Sequence, residues 1–276
     1  MTLTLGEALR RATEHLGERG SETPRLDAEL LLGKALGLQR IELYMYLDRP
    51  LQETELDVAR ELVVRRSQRE PLQYVLGEWG FRRLTLTVDR RALIPRPETE
   101  IVVERCLALL DGAAEPRVLD VGTGSGAIAL AIAQEHPGAR VTGIDVSDDA
   151  LALAAENAER TGIGVELLRH DLFDGLPPGP WDLVASNPPY VPSEEMEGLA
   201  PDVIDWEPDR ALVARGHTEA VVTAAALVLR PGGALVLESH WNGVAQLAAL
   251  LTAAGFGDVL VTHDLAGRER VVEGRR

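Results

Sequence analysis

The chain has 276 residues, 45% of them hydrophobic, and a formal net charge of −16 at pH 7. It contains no apolar run approaching the roughly 20 residues of a membrane-spanning helix, so composition predicts a globular protein with no membrane association. The acidic excess argues against a surface that follows nucleic-acid phosphates, because Lys and Arg supply most of that affinity. We therefore expect a protein partner and no stable nucleic-acid binding.

The N-terminal quarter of the chain carries repeated helix signals and almost no strand signal. Thr4 with Glu7 has the spacing of a capping box that opens a helix, and Gly37 is placed to end the second helix. Further helices are predicted over 41–47 and 53–69. This region contains no cluster of His, Cys or carboxylates at ligand spacing, so it predicts a small helical domain without chemistry of its own.

Residues 81–94 change to an alternating apolar and polar pattern, which predicts a hairpin-like joint between domains. The segment 95–100 follows, where prolines precede the acidic residues Glu98 and Glu100. This order suits the first turn of a helix, which needs no function, but a place at the active site stays equally open; we do not count Glu98, Thr99 or Glu100 among the catalytic residues. The single cysteine of the chain follows in an amphipathic stretch. It cannot form an internal disulfide, which fits a reducing cytoplasm.

Strand and helix patterns alternate through the rest of the chain. Strands are predicted over 117–121, 140–144, 165–168, 181–186, 234–237, 259–261 and 269–272, helices over 127–135, 147–162, 218–229 and 244–254, and a turn at 231–233. Such alternation predicts an α/β fold with a mostly parallel, Rossmann-like sheet covered by helices on both faces. Ligands of such sheets bind beyond the carboxyl ends of the strands.

A glycine-rich loop follows the first strand of this sheet. It consists of Gly122, Thr123, Gly124, Ser125 and Gly126. Glycines allow a close approach of backbone and ligand, and the helix start behind them offers unpaired N–H groups. Asp145, at the tip of the next strand, is placed to accept both hydroxyls of a ribose. The spacing also satisfies the dinucleotide pattern, so NAD and other nucleosides both remain open at this point.

The tetrapeptide after the fourth strand indicates the reaction. It consists of Asn187, Pro188, Pro189 and Tyr190. The prolines stiffen the loop and remove backbone donors, so the Asn187 side chain and an outward carbonyl offer two acceptors for an NH2 group. The Tyr190 ring can pack on a flat substrate group. An ordinary Pro-Pro turn is the alternative, but beside a nucleoside loop the motif favours a methyl donor with a nitrogen nucleophile over a dehydrogenase.

Several motifs together resemble a known family. Asp120 to Gly126, Asp145, the step Asp171-Leu172-Phe173 and Asn187 to Tyr190 resemble the motifs of class I S-adenosylmethionine-dependent methyltransferases that act on amide or amino nitrogens. The stretches 71–79, 93–100, 207–208 and 270–274 are similar to the PrmC family, also called HemK. That family methylates the glutamine side chain in the Gly-Gly-Gln motif of class I peptide-chain release factors.

The resemblance implies S-adenosyl-L-methionine as cofactor, with S-adenosyl-L-homocysteine as product, and no metal. It implies cofactor binding by Gly122, Thr123, Gly124, Ser125, Gly126, Asp145, Asp171, Leu172 and Asn187. The expected substrate-binding residues are Asn187, Pro188, Pro189 and Tyr190. All of these except Pro189 are also the expected catalytic residues. Asp171 and Leu172 match the adenine contacts of the family, although Leu172 replaces an aromatic found there in some members, and Asp171 could equally cap a turn.

The resemblance also implies a domain arrangement. We expect a helical domain over 1–80 that docks the release factor, a β-hairpin linker over 81–96, and a class I methyltransferase domain over 97–276 in a cytoplasmic monomer. Three alternatives stay open: glutamine methylation of a ribosomal protein, methylation of nucleic-acid amino groups, and a nucleoside-binding module or NAD-dependent enzyme. The last would leave residues 187–190 unexplained.

Overall fold

The computed structural model describes residues 3–276, which form two compact units. The helical unit extends to Glu78 and also includes Ala200–Trp206, whereas the sheet unit comprises Trp79–Leu199 and Glu207–Arg276. The domain limits expected from the sequence stay a prediction, and residues 1 and 2 lie outside the described range. No sequence pattern indicated that 200–206 groups with the helices. Within residues 3–276, no helix is long and apolar enough to cross a membrane.

The secondary structure follows the predicted order of helices and strands, with further short helices over 72–76, 201–204 and 209–212 that the sequence analysis did not predict. The helices are α1 (Leu5–Glu18), α2 (Pro24–Leu36), α3 (Arg40–Leu43), α4 (Glu53–Ser67), α5 (Leu72–Leu76), α6 (Thr99–Leu109), α7 (Ala127–Glu135), α8 (Asp148–Thr161), α9 (Pro201–Ile204), α10 (Asp209–Leu212), α11 (His217–Val228) and α12 (Val244–Ala253). The strands are β1 (Glu78–Phe81), β2 (Leu84–Thr87), β3 (Arg117–Val121), β4 (Arg140–Asp145), β5 (Glu166–Arg169), β6 (Trp181–Ser186), β7 (Leu229–Glu238), β8 (Gly257–His263) and β9 (Glu269–Arg275).

Local signals explain where the first helices begin and end. The capping box of α1 is present, since Thr4 Oγ1 accepts from Glu7 N at 3.3 Å and Glu7 Oε2 accepts from Thr4 N at 3.0 Å. Gly37 ends α2 with a φ of 64°, as its placement predicted. The helix expected over 41–47 is shorter: beyond Leu43 the N–H groups of Met45 and Tyr46 donate to carbonyls three residues back, at 3.0 and 3.2 Å, so the chain continues in turns.

Buried leucines from α1, α2 and α4 form the core of the helical unit. The segment around α9 is attached to this unit by ion pairs. Arg66, itself only 8% exposed, contacts Asp27 and Asp202, each at 2.8 Å, and Arg69 forms a second ion pair with Asp202. A buried Arg with two carboxylate partners keeps its charge compensated. These ion pairs fix α9 to the helices that surround Arg66.

The sheet unit contains a two-stranded sheet, β1 with β2, and a seven-stranded sheet of order β5-β4-β3-β6-β7-β9-β8. The five strands from β5 to β7 run parallel, while β9 pairs antiparallel with both β7 and β8. The predicted mostly parallel sheet is therefore confirmed. Side chains alternate across it, so that Val118 and Leu183 face one buried cluster while Leu119 and Val184 face the other.

One predicted turn, at 231–233, is wrong. These residues form a bulge within β7, because Trp181 pairs with Leu229 whereas Leu183 pairs with Ala234. Gly232 takes a φ of 78° there, and its N–H donates to the carbonyl of Arg276 at 2.6 Å. Pairing with the end of β9 keeps the extra residues in the sheet.

The register brings three strand ends to the same edge of the sheet. Val121, the last residue of β3, pairs with Ile144 on one side and with Ser186 on the other. The loops that follow β3, β4 and β6 therefore leave the sheet side by side. This edge contains the glycine-rich loop, Asp145 and Asn187, which lie far apart in the sequence.

Candidate active site

A cavity of about 260 Å³ lies at this edge of the sheet. Of the residues expected at the site, it is lined by Gly122, Thr123, Gly124, Ser125, Asp145, Asp171, Leu172, Asn187, Pro188 and Pro189. Gly126 and Tyr190 are not among the lining residues. Gly126 has a φ of 82° at the start of α7, where an added Cβ would lie 3.3 Å from Ala154 Cβ, so its small size serves the packing of α7 against α8.

The glycine-rich loop holds the Asp145 carboxylate at the cavity. Gly124 N donates to Asp145 Oδ2 at 3.0 Å, and Ser147 N donates to Oδ1 at 2.9 Å. Gly122 and Gly124 have φ values of 72° and 56°, which residues other than glycine rarely adopt. A Cβ at Gly122 would meet no atom within 4 Å, so the backbone borders open space there. Each Asp145 oxygen keeps a lone pair for a hydroxyl donor.

Asp120 is buried beneath this loop. Its Oδ2 accepts from Thr123 Oγ1 at 2.6 Å and from Ala129 N at 3.2 Å, while Oδ1 has no hydrogen-bond partner within residues 3–276. Burial raises the pKa of Asp120 to about 7, although the hydrogen bond from Thr123 acts in the opposite direction. Asp120 thus ties the loop to the first turn of α7.

Asp171 and Leu172 line the cavity at the start of a 3-10 turn. Asp171 Oδ1 accepts from Phe173 N at 2.9 Å, so this carboxylate does cap the turn. Phe173 and His217 also line the cavity, with ring centroids 5.2 Å apart. Burial, together with the charge of Arg215, lowers the pKa of His217 and favours its neutral ring. The sequence analysis included Phe173 in a family motif without giving it a role, and it did not include His217 among the site residues.

Asn187 is bound to a residue that the sequence analysis left out. Its Nδ2 donates to Thr99 Oγ1 at 3.1 Å, and the Thr99 hydroxyl donates in turn to Glu238 Oε2 at 2.6 Å. Thr99 is the first residue of α6, is 5% exposed and lines the cavity. With its nitrogen engaged by Thr99, the Asn187 amide has Oδ1 left to accept a hydrogen bond from another group.

Tyr190 lies beside Glu238 and His240 instead of lining the cavity. Its hydroxyl is 3.5 Å from Glu238 Oε1, and its ring stacks on His240 with centroids 6.1 Å apart. Burial raises the pKa of Glu238 to about 7, against the effect of the hydrogen bond from Thr99. Burial and the neighbouring Glu238 charge raise the pKa of Tyr190, so its hydroxyl stays protonated.

The segment before α6 completes the cavity and is fixed by Glu207. Glu207 is 4% exposed, and its Oε2 accepts from Ile94 N at 3.1 Å while Oε1 forms an ion pair with Arg96. Ile94 and Arg96 both line the cavity. A buried carboxylate with these two partners holds the segment in a defined position.

The lining residues fit S-adenosylmethionine. Asp145 offers acceptors for two hydroxyls, Asp171 offers an acceptor for an amino group, and Leu172 and Phe173 supply an apolar surface for a flat ring. No atom lies within 4 Å of the position that a Cβ would take at Gly122, so a ligand can approach the backbone there. When bound, this group supplies an electrophilic methyl on a cationic sulfur.

Comparisons with known proteins identify the family of the chain. Residues 7–77 match the family model of the PrmC N-terminal domain, and residues 101–254 match that of the methyltransferase small domain. The chain is 42% identical to the release factor glutamine methyltransferase of Geobacter sulfurreducens over 99% of this chain and 96% of that protein. It is 44% identical to the protein of the same name from Chlorobaculum tepidum, over 82% of each.

A solved structure shares the fold. The 16S rRNA methyltransferase RsmC of T. thermophilus, determined with AdoMet and guanosine, superimposes with a TM-score of 0.55 at 20% sequence identity. The match covers 72% of this chain and 49% of that one. The sheet unit therefore has the Rossmann-like fold of class I methyltransferases.

Proposed function

This chain belongs to the release factor glutamine methyltransferase family, and we propose that it methylates the glutamine of the Gly-Gly-Gln motif in class I peptide-chain release factors. The methyl donor is S-adenosyl-L-methionine and the product is S-adenosyl-L-homocysteine. The observation that carries the proposal is Asn187, whose Nδ2 is held by Thr99 at the cavity, so that Oδ1 is available to a substrate amide.

The chemical difficulty lies in the nucleophile. Amide resonance, reflected in the roughly 18–20 kcal/mol rotation barrier of a peptide C–N bond, makes a glutamine side-chain nitrogen a poor nucleophile. A single hydrogen bond contributes only about 0.5–1.5 kcal/mol net, so no single contact overcomes this difficulty. Alignment of the reacting atoms can contribute about 7–11 kcal/mol. The protein therefore acts chiefly by holding the substrate nitrogen in line with the methyl group.

Asn187 and Pro188 are the residues proposed to achieve this alignment. The Asn187 Oδ1 atom and the Pro188 carbonyl accept the two N–H bonds of the glutamine amide and turn the nitrogen lone pair towards the methyl group. A bound S-adenosylmethionine would supply the methyl group, with the electron pair of the broken S–C bond left on sulfur as the N–C bond forms. The methylated nitrogen is then strongly acidic and loses a proton to Asn187 or water, so the step needs no strong base.

Tyr190 is proposed to pack on the substrate carboxamide through its ring edge or face. The buried position of its hydroxyl beside Glu238 keeps it neutral and makes it unsuited to act as a base. Asp145 and Asp171 are proposed to bind the ribose and the adenine of the donor, and Leu172 to pack on the adenine.

The helical unit is proposed to dock the release factor. Ile41 and Met45 are 68% and 71% exposed, and the rings of Tyr44 and Tyr46 are also accessible. Exposed apolar and aromatic side chains of this kind are typical of protein interfaces. We further propose that the protein acts as a cytoplasmic monomer. We also propose that it has no stable nucleic-acid binding, because its net charge of −16 opposes contact with phosphates.

A transfer assay tests the proposal. The protein is incubated with labelled S-adenosylmethionine and, in turn, a release factor, its variant with the Gly-Gly-Gln glutamine replaced by alanine, ribosomes and DNA. Label is expected on the release factor alone and is expected to be lost with the variant. Transfer to nucleic acid or ribosomal protein, or equal labelling of the variant, would refute the assignment.

A further inference from the structure

Three polar side chains extend in a row from the cavity into the protein. Asn187 Nδ2 lies 3.1 Å from Thr99 Oγ1, which lies 2.6 Å from Glu238 Oε2. The last two are nearly inaccessible, since Thr99 is 5% and Glu238 1% exposed. Asn187, Thr99 and Glu238 come from three different places in the sheet unit, namely the loop after β6, the start of α6 and the end of β7. Their contact is therefore a product of the tertiary fold.

The direction of the hydrogen bonds in this row follows from the chemistry of its inner end. An ionised carboxylate can only accept, so the single Thr99 hydrogen points to Glu238. The Thr99 oxygen then presents a lone pair to Asn187, and only the NH2 end of an amide can donate to it. An Asn187 amide turned the other way would place its oxygen against another acceptor.

This orientation matters because packing cannot choose between the two ends of an amide. The oxygen and the NH2 group of Asn187 have nearly the same size and differ in hydrogen bonding alone. A flipped Asn187 would present an NH2 group to the NH2 group of the substrate, and two donors form no bond. The hydrogen bond from Asn187 to Thr99 is therefore what makes the oxygen available to the substrate.

We propose that Thr99 and Glu238 are positioning residues that fix the Asn187 amide with Oδ1 towards the substrate nitrogen. The inference rests on the proposed function for the identity of that substrate. Thr99 transmits the acceptor character of Glu238 to Asn187, and neither residue exchanges a proton with the substrate. The proposal gives a role to segment 95–100, through Thr99, and to the end of β7, through Glu238. Neither takes part in the proposed contacts with the substrate or the methyl donor.

The burial of Glu238 supports a functional reading. An ionisable side chain that is only 1% exposed is costly, and apolar residues of similar volume often replace such groups without loss of stability. Besides Thr99 and Tyr190, the charges that act on Glu238 are those of Glu98 and Arg270, which have opposite signs. Within residues 3–276, Arg270 forms its ion pair with Asp264, at 3.0 Å, and the hydrogen-bonded neighbours of Glu238 are Thr99 and Tyr190.

The test compares two threonines in matched surroundings. Thr142 is also 5% exposed and its hydroxyl donates to a carboxylate, Glu166, at 2.9 Å, but it does not line the cavity. Thr99→Val and Thr142→Val remove one buried hydroxyl each, while Thr99→Ser keeps it. Release-factor methylation kinetics, calorimetric binding of S-adenosylhomocysteine and thermal unfolding are measured for the wild type and all three variants.

Thr99→Val is expected to lower kcat about 10- to 100-fold, the effect of losing a hydrogen bond in a row that ends on a charged group. Its cofactor affinity and melting temperature should stay close to those of Thr142→Val, and Thr99→Ser should retain kcat within about three-fold. An unchanged kcat in Thr99→Val, or an equal loss in Thr99→Ser, would overturn the proposal.

A measurement without substrate separates this inference from the proposed function. In nuclear magnetic resonance spectra of the wild type, the Asn187 side-chain NH2 protons should show cross-peaks to the Thr99 side chain, and these should vanish in Thr99→Val. Absence of the cross-peaks in the wild type overturns the proposal whatever the substrate is. Cross-peaks in a protein that fails to label release factors would leave the orientation intact and refute the assigned substrate.

Discussion

Acidification should weaken catalysis through Glu238. The pKa of this carboxyl is about 7, so roughly nine-tenths of it is ionised at pH 8 and roughly one-tenth at pH 6. A protonated Glu238 can donate to Thr99, which frees the Thr99 hydrogen for Asn187 Oδ1 and permits the unproductive orientation. We therefore expect kcat to fall about five- to ten-fold from pH 8 to pH 6.

Acidification should raise the free energy of unfolding through Glu238, although it lowers kcat. The folded pKa of Glu238 lies above its usual 4.5, so the folded state holds this proton more tightly than the unfolded state. Ionising the buried group costs roughly 3 kcal/mol, at 1.36 kcal/mol per pKa unit. This contribution to the free energy of unfolding is favourable below about pH 4.5 and is lost as the pH rises to about 7.

Glu238→Gln isolates both effects. The variant resembles the protonated side chain at every pH, while Asp120, whose pKa is also about 7, titrates in both proteins and cancels in the comparison. Measured at saturating donor and release factor between pH 6 and 8, the ratio of wild-type to variant kcat should fall about five- to ten-fold on acidification. A constant ratio would refute the reasoning, as would melting temperatures that depend on pH identically in the two proteins.

Further variants test the other parts of the site. Asn187→Ala should keep cofactor binding but lower kcat roughly 100-fold, as loss of a positioning acceptor does in preorganised sites. Asp145→Asn should weaken calorimetric binding of S-adenosylhomocysteine about ten-fold, because one acceptor becomes a donor. Gly124→Ala should lower the free energy of unfolding by about 1–2 kcal/mol through its φ of 56°, whereas Gly164→Ala should not. Met45→Asp should raise KM for the release factor and leave kcat unchanged.

Each of these expectations has a contrary outcome. Joint loss of cofactor binding and turnover in Asn187→Ala would mean that this residue supports the cofactor first. Unchanged affinity in Asp145→Asn would remove the ribose from that carboxylate. Equal unfolding free energies for the two glycine variants would show that the loop relaxes without strain, and an unchanged KM in Met45→Asp would move the docking surface elsewhere.

The sheet and the loops at its edge could be predicted because their signals are local. A period of two or 3.6 residues identifies each element, and the rule that ligands bind beyond the carboxyl ends of parallel strands brings Gly122, Asp145 and Asn187 together without coordinates. The helix predicted over 41–47 was too long because the chain changes to three-residue turns after Leu43, and the turn predicted at 231–233 was wrong because Arg276, distant in the sequence, pairs with Gly232 and keeps these residues in β7.

The contact of Thr99 with Glu238 could not be predicted in this way. Thr99 lies at a helix start and Glu238 at a strand end, where their residue types need no functional explanation. No periodic pattern links positions so far apart in the sequence. Which side chain an amide faces depends on packing between three elements. The same holds for Tyr190, whose place beside His240 follows from the path of the chain after β7.

The attachment of α9 to Arg66 and Arg69 has a practical meaning for protein engineering. Residues 7–77 match a family model of their own and suggest a domain that could be exchanged between relatives. However, the same structural unit includes α9, which lies more than a hundred positions further along the chain. A chimera joined at residue 79 would keep Asp202 but lose Arg66 and Arg69, the two arginines with which this carboxylate forms ion pairs. Successful grafts should be those that transfer residues 200–206 along with the amino-terminal helices.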